Sequence, residues 1–117
     1  MNISKTFKEL IVWQKSVELS VRIYKLTRKF SKDEKFGLVS QLRRACVSIP
    51  SNIAEGSKRG TKKDFIQFLR IASGLAAEVE TQLIISKQLY SEIDFSEELN
   101  LLLEIQKMLT VLIRSIQ

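Results

Sequence analysis

Apolar residues recur along this chain at the spacing of helical turns and resolve into four segments. In the first, from about Lys8 to Phe30, Leu10, Trp13, Val17, Val21 and Tyr24 form one stripe, while Val12, Leu19, Ile23, Leu26 and Phe30 form a second on nearly the opposite side. One face can enter a core. The other needs its own partner, either a second neighbouring helix or another copy of the chain, because large exposed apolar patches are rare on monomers.

Ser31-Lys-Asp-Glu34 has the form of a capping box and predicts that the second helix starts there. Leu38, Leu42, Ala45, Cys46, Ile49 and Ile53 then share one face, and Gln41, Arg44, Ser48, Asn52 and Glu55 an adjacent one. Pro50 removes a backbone donor and crowds the carbonyl of Cys46, which predicts a kink and a carbonyl that must find another donor. Gly56 and Gly60 are expected to bracket a loop, Ser57-Lys58-Arg59, before a second capping box, Thr61-Lys-Lys-Asp64. The third helix should run from about Lys62 to Tyr90, with Phe65, Phe68, Leu69, Ala72, Leu75, Ala76, Val79, Leu83 and Tyr90 along its apolar stripe. A turn around Ser91 to Ser96 leads to a fourth, with Leu102, Ile105, Leu109, Leu112, Ile113 and Ile116. The short connections predict an all-α fold, an antiparallel up-down-up-down four-helix bundle with a proline kink in helix 2, as a single domain over residues 1–117.

Composition agrees: Gly and Pro are too scarce for an all-β chain. No apolar run approaches the roughly 20 residues of a membrane span, and Met1 to Lys8 lacks the apolar core of a signal peptide, so no membrane is expected and a cytoplasmic location is. The single Cys46 fits a reducing compartment. Net charge is +6, but residues 1–70 hold 16 Lys and Arg against 6 Asp and Glu, while residues 71–117 hold 3 against 7. Such asymmetry suits a polyanion, nucleic acid above all, although a solvated charged face needs no ligand.

Enzyme chemistry finds little to work with. There is no His, the commonest general base and metal ligand, and one Cys cannot build an ordinary zinc site. Cys46 sits on an apolar helical face and reads as a core residue. Glu78 and Glu80 point to different sides of their helix. Gly56-Ser-Lys-Arg-Gly60 has one residue too few between its glycines for a phosphate loop and no strand before it. No catalytic residue, cofactor or metal is expected.

Binding remains. Lys58, Arg59, Lys62 and Lys63 lie beside a predicted helix N-terminus, where unpaired N–H groups and the helix dipole favour anions. Arg22, Lys25, Arg28 and Lys29 on helix 1 and Arg43 on helix 2 could extend a phosphate-contacting footprint. Arg44 shares a face with Gln41 and Ser48 and is expected to pair with Glu78 or Glu80, which leaves Arg43 as the better ligand candidate. Trp13 and Tyr24 could stack on bases, but core packing is the expectation.

The run Gln41-Leu-Arg-Arg-Ala-Cys-Val-Ser-Ile-Pro-Ser-Asn-Ile-Ala-Glu-Gly-Ser-Lys-Arg59, with Trp13-Gln14-Lys15 before it and Phe68-Leu-Arg-Ile-Ala-Ser-Gly74 after it, resembles the four-helix proteins named after open reading frames inside bacterial 23S ribosomal RNA genes. This is the 23S rRNA intervening-sequence, or S23, family, which is related to the accessory protein of diversity-generating retroelements. The resemblance implies a homo-oligomer, a pentamer in related structures. In the retroelement branch it implies a basic surface that binds nucleic acid beside a reverse transcriptase. Arg43, Arg44 and Arg59 are the matching positions. The sequence departs from the family pattern at Cys46, where alanine is common. The expected activity is thus non-enzymatic, oligomeric nucleic-acid binding, RNA rather than DNA, through Arg22, Arg28, Lys29, Arg43, Arg44, Lys58, Arg59, Lys62 and Lys63. A homo-oligomeric protein-interaction scaffold is the alternative.

Overall fold

The computed structural model describes residues 6–117; residues 1–5, part of the stretch read above for a signal sequence, lie outside it. Four helices carry the chain: α1 (Ile11–Thr27), α2 (Leu38–Lys58), α3 (Lys62–Leu89) and α4 (Ser96–Ile116). Each packs against its neighbours in sequence, and α4 closes back on α1, while the diagonal pairs stand apart. The result is an antiparallel up-down-up-down bundle measuring 45 × 22 × 20 Å. Its axis is lined by Leu19, Ile23, Leu42, Ile49, Ile53, Leu69, Val79, Leu83, Leu102, Ile105 and Leu109, all fully buried. Among the described residues, no helix is long and apolar enough to cross a membrane.

The helix ends differ from the sequence-based expectation. Phe7–Glu9 form one 3-10 turn, and Leu10 is extended, so α1 begins at Ile11 rather than Lys8. The turn is held by its side chains: Phe7 packs edge-on against Trp13 at 5.3 Å, and Gln14 Nε2 donates to the Lys8 carbonyl at 2.8 Å. At the other end α1 stops at Thr27, whose hydroxyl donates to the Ile23 carbonyl at 2.7 Å.

The expected capping box at Ser31 does not form. Lys32–Glu34 make a single 3-10 turn, and α2 starts only at Leu38, after Gly37. Ser31 instead donates its backbone N–H to the Tyr90 hydroxyl at 3.1 Å, and Glu34 reaches forward, accepting from the Leu38 N–H at 3.1 Å. Phe30 stacks on Tyr90 at 4.5 Å and meets Phe95 edge-on at 6.0 Å, closing this end of the bundle with aromatic rings.

Gly56 is not in a loop. The helix α2 continues to Lys58, and a Cβ at Gly56 would lie 2.6 Å from the Cβ of Phe68, so the residue marks a close approach of α2 to α3. Only Gly60, with φ +89°, performs the turn. Thr61 Oγ1 accepts from the Asp64 N–H at 3.1 Å and caps α3, without the reciprocal half of the box.

The two stripes of α1 part as their spacing requires. Val12, Leu19, Ile23, Leu26 and Phe30 are buried, while Val21 and Tyr24 on the other stripe remain 49% and 40% exposed. Trp13 is half-buried against the core. Tyr24 is therefore no core residue. Together with Val17 and with Val47 of α2, 41% exposed, it leaves an apolar outer face that is open except where Arg43 of α2 lies over the Tyr24 ring.

Candidate nucleic-acid interface

Antiparallel packing decides which cations can act together. Arg28 and Lys29 follow the C-terminus of α1, at the end of the bundle where α2 begins, whereas Lys58, Arg59, Lys62 and Lys63 surround the α2–α3 turn at the other end. The 21 residues of α2, at about 1.5 Å each, set these ends roughly 30 Å apart. The nine residues singled out above thus fall into separate groups on one protomer.

The α2–α3 turn holds the densest group. Lys58, Lys62 and Lys63 are exposed and, among the described residues, have no acidic partner. Arg59 is held in place: it pairs with Glu55 at 3.3 Å, and its guanidinium lies 4.9 Å from the centroid of the Phe68 ring. Because Thr61 already caps the helix and Asp64 sits in its first turn, the attraction for an anion here comes from the side-chain charges more than from free N–H groups.

A cavity of about 670 Å3 opens along α3 beside this group, lined by Lys63, Ile66, Gln67, Arg70 and Ile71 of α3 and by Gln117, which follows α4. Arg70 escaped the sequence reading. Its signal was present in the spacing, since a cation two helical turns after Lys63 falls on nearly the same side of α3.

Two of the other candidates, Arg22 and Arg43, are committed to the fold. Arg22 bridges Glu18 and Glu97, each at 3.1 Å, and the hydrogen bond to Glu18 is the main reason its pKa rises further. Arg43 Nε donates to Thr27 Oγ1 at 3.0 Å, and its Nη2 donates to the Tyr24 carbonyl at 3.2 Å. Its guanidinium also lies 4.5 Å from the centre of the Tyr24 ring, so Arg43 ties α2 to the last turn of α1. Arg44 does the opposite of what its face suggested. It is exposed, and its expected ion pair with Glu78 or Glu80 does not form; Glu80 accepts from Gln106 at 3.0 Å instead. The structural and the available arginine have changed places.

Nucleophilic chemistry at Cys46 is disfavoured by its surroundings. The thiol is buried, and desolvation pushes its pKa up to about 12, far from the thiolate that a nucleophile requires. Among the described residues, no three Cys, Asp or Glu side chains gather as a metal site.

No curated protein matches the sequence. A crystal structure of a protein of unknown function from the S23 ribosomal protein family of Bacteroides thetaiotaomicron is similar over 89% of this chain and 96% of that one, at 29% identity and a TM-score of 0.80. The family described as 23S rRNA-intervening sequence protein matches residues 8–111, nearly all of the bundle described above. The chain therefore belongs to the 23S rRNA-intervening sequence protein family.

Proposed function

We propose that this protein is a non-enzymatic, oligomeric nucleic-acid-binding protein, acting on RNA through phosphate contacts. The observation that carries this reading is the group of exposed lysines, Lys58, Lys62 and Lys63, at one end of the bundle, with Arg70 continuing the positive edge along the α3 groove. Cations without internal partners can neutralise phosphates without giving up an existing ion pair. Arg59 contributes from a fixed position beside them. Arg28 and Lys29 would join the same surface only through a second copy of the chain, because they sit at the far end of their own protomer.

The apolar outer face formed by Val17, Val21, Tyr24 and Val47 supports association between copies, and the family resemblance makes a pentamer the expected assembly. The same face favours a second reading, a scaffold that presents repeated surfaces to a protein partner. A reverse transcriptase is the partner suggested by the retroelement branch, and the cytoplasm is the expected location.

Light scattering with absorbance at 260 and 280 nm, before and after nuclease and a high-salt wash, distinguishes these readings. An oligomer carrying salt-removable RNA supports the first. Neutralising four to six phosphates gives log affinity a slope of roughly −3 to −5 against log salt. The combined change Lys58→Glu, Lys62→Glu and Lys63→Glu, which spares the Glu55–Arg59 pair, should weaken binding to all sequences alike. A protein partner retained after nuclease treatment, with RNA affinity insensitive to salt and to these changes, favours the scaffold.

A further inference from the structure

A second cavity, of about 370 Å3, lies between α2 and α3 away from the lysine end. Its volume falls within the roughly 300–1,000 Å3 typical of small-ligand sites. Arg44 and Glu78 both line it, yet they do not pair with each other, and neither has another ionic partner among the described residues. At its rim stands Phe36, 88% exposed on the α1–α2 connection. Lys35 Nζ lies 5.3 Å from the centroid of the Phe36 ring, and the ring otherwise stands open beside two opposite charges that form no ion pair.

The wall behind Glu78 is built. Gln82 is only 6% exposed, and its Nε2 donates to Glu78 Oε1 and to Gln41 Oε1, each at 3.4 Å. Because a carboxylate can only accept, this contact fixes which end of the amide faces Glu78. The other end, Gln82 Oε1, has no hydrogen-bond partner. A buried orphan acceptor is costly, and the two side chains that Gln82 does reach, Gln41 and Glu78, both line the cavity.

We propose that this cavity takes a single unstacked guanine of an RNA strand, an inference that rests on the nucleic-acid-binding reading above. Guanine offers two adjacent donors, N1–H and the N2 amine, to the Glu78 carboxylate, and two adjacent acceptors, O6 and N7, to the forked donors of Arg44. Phe36 supplies the stacking surface. Adenine lacks the paired donors. Cytosine offers acceptors, N3 and O2, to Arg44 but only a single amine to Glu78, and presents a smaller ring to Phe36. The lysine end would hold the strand by its phosphates, and this cavity would choose one base.

The test is fluorescence anisotropy with short labelled oligouridine strands that carry one central G, A or C, or none. The strand with G should bind about tenfold more tightly than the others, the order expected from one well-made bidentate contact. Phe36→Ala, Glu78→Gln and Arg44→Met alter exposed side chains and should leave the melting temperature unchanged. Each should bring the G strand down to the uridine level. The triple lysine reversal should weaken all strands by the same factor and preserve the preference. Equal binding of every strand, or a preference unaffected by the three cavity variants, overturns the guanine site and leaves the phosphate-contact reading standing. A preference for A or C overturns the base assignment. No binding of any strand at low salt overturns both.

Discussion

The hydroxyl of Ser20 on α1 donates to the carbonyl of Cys46 on α2 at 3.1 Å, and this is the carbonyl that Pro50 leaves without its helical donor. Ser20 also lies 3.0 Å from the Ser16 carbonyl of its own helix, so its one proton is shared between the two carbonyls. The contact lies inside the bundle, where water is not at hand. Ser20→Ala should therefore cost about 1–3 kcal/mol, the penalty for an unsatisfied buried acceptor. In a Pro50→Ala background the new N–H can serve Cys46, and the cost of Ser20→Ala should shrink to a few tenths, as expected for coupled neighbours. Urea unfolding of the four proteins of this cycle measures the coupling; additive costs would show that the hydroxyl does not replace the missing donor.

Gly56 and Phe68 offer a second check on the α2–α3 contact. An alanine at a helical glycine normally gains about 0.5–1 kcal/mol. Here the added methyl would lie 2.6 Å from the Cβ of Phe68 and 3.2 Å from Phe65 Cδ1. A Cβ is fixed to the backbone and cannot swing aside, so the helices must separate. Gly56→Ala should destabilise by about 1–3 kcal/mol, the usual cost of overpacking. Phe68→Ala retains the offending Cβ and should not relieve the clash. Calorimetry of Gly56→Ala with and without Phe68→Ala tests this.

The same positions show what could and could not be seen in the chain. Periodicity identified the buried stripes of α2, α3 and α4. On α1 it offered two stripes and set Trp13 and Tyr24 toward the core, whereas the structure buries Val12, Leu19, Ile23 and Leu26, because which stripe turns inward depends on the neighbouring helices. The loss of the Cys46 donor was also legible, since a proline's effect is local. Its replacement by Ser20 was not, because that depends on how α1 and α2 slide against each other. Gly56 misled because a glycine that permits close packing looks the same in sequence as one that ends a helix. Arg43 and Arg44 exchanged roles for a related reason. They point about 100° apart on α2. Which of them meets α1 depends on the hand of the bundle, and helical spacing carries no information about hand.

That exchange is measurable. Arg43→Met removes the hydrogen bonds to Thr27 Oγ1 and to the Tyr24 carbonyl. It should lower stability by about 1–2 kcal/mol, because the freed groups are partly open to water. Arg44→Met breaks no contact within the protomer and should stay within about 0.5 kcal/mol of the parent. Thermal melts of the two variants suffice. Equal losses would return Arg44 to a structural role.

Asp94 gives the bundle a pH-dependent contact at the start of α4. Its Oδ1 accepts from the Ser96 N–H at 2.9 Å, which is the main reason its pKa is lowered from the ordinary 3.8; the Ser96 side chain, Lys87 and Lys29 act in the same direction. A carboxyl whose pKa is lower in the folded protein stabilises it above the unfolded value, and that stability is lost as pH falls through the folded one. Asp94→Asn keeps an oxygen that can accept from Ser96 but loses the charge. The variant should therefore be less stable than the parent at neutral pH, and the gap should close as pH falls below about 4 and both forms of the site become neutral. Because the carboxylate is fully exposed, added salt should reduce the part due to Lys87 and Lys29 while the hydrogen bond persists. Urea midpoints of the two proteins, compared at neutral and acidic pH with and without salt, test both statements. A gap that stays constant with pH would mean that Asp94 acts through its shape and not through its charge.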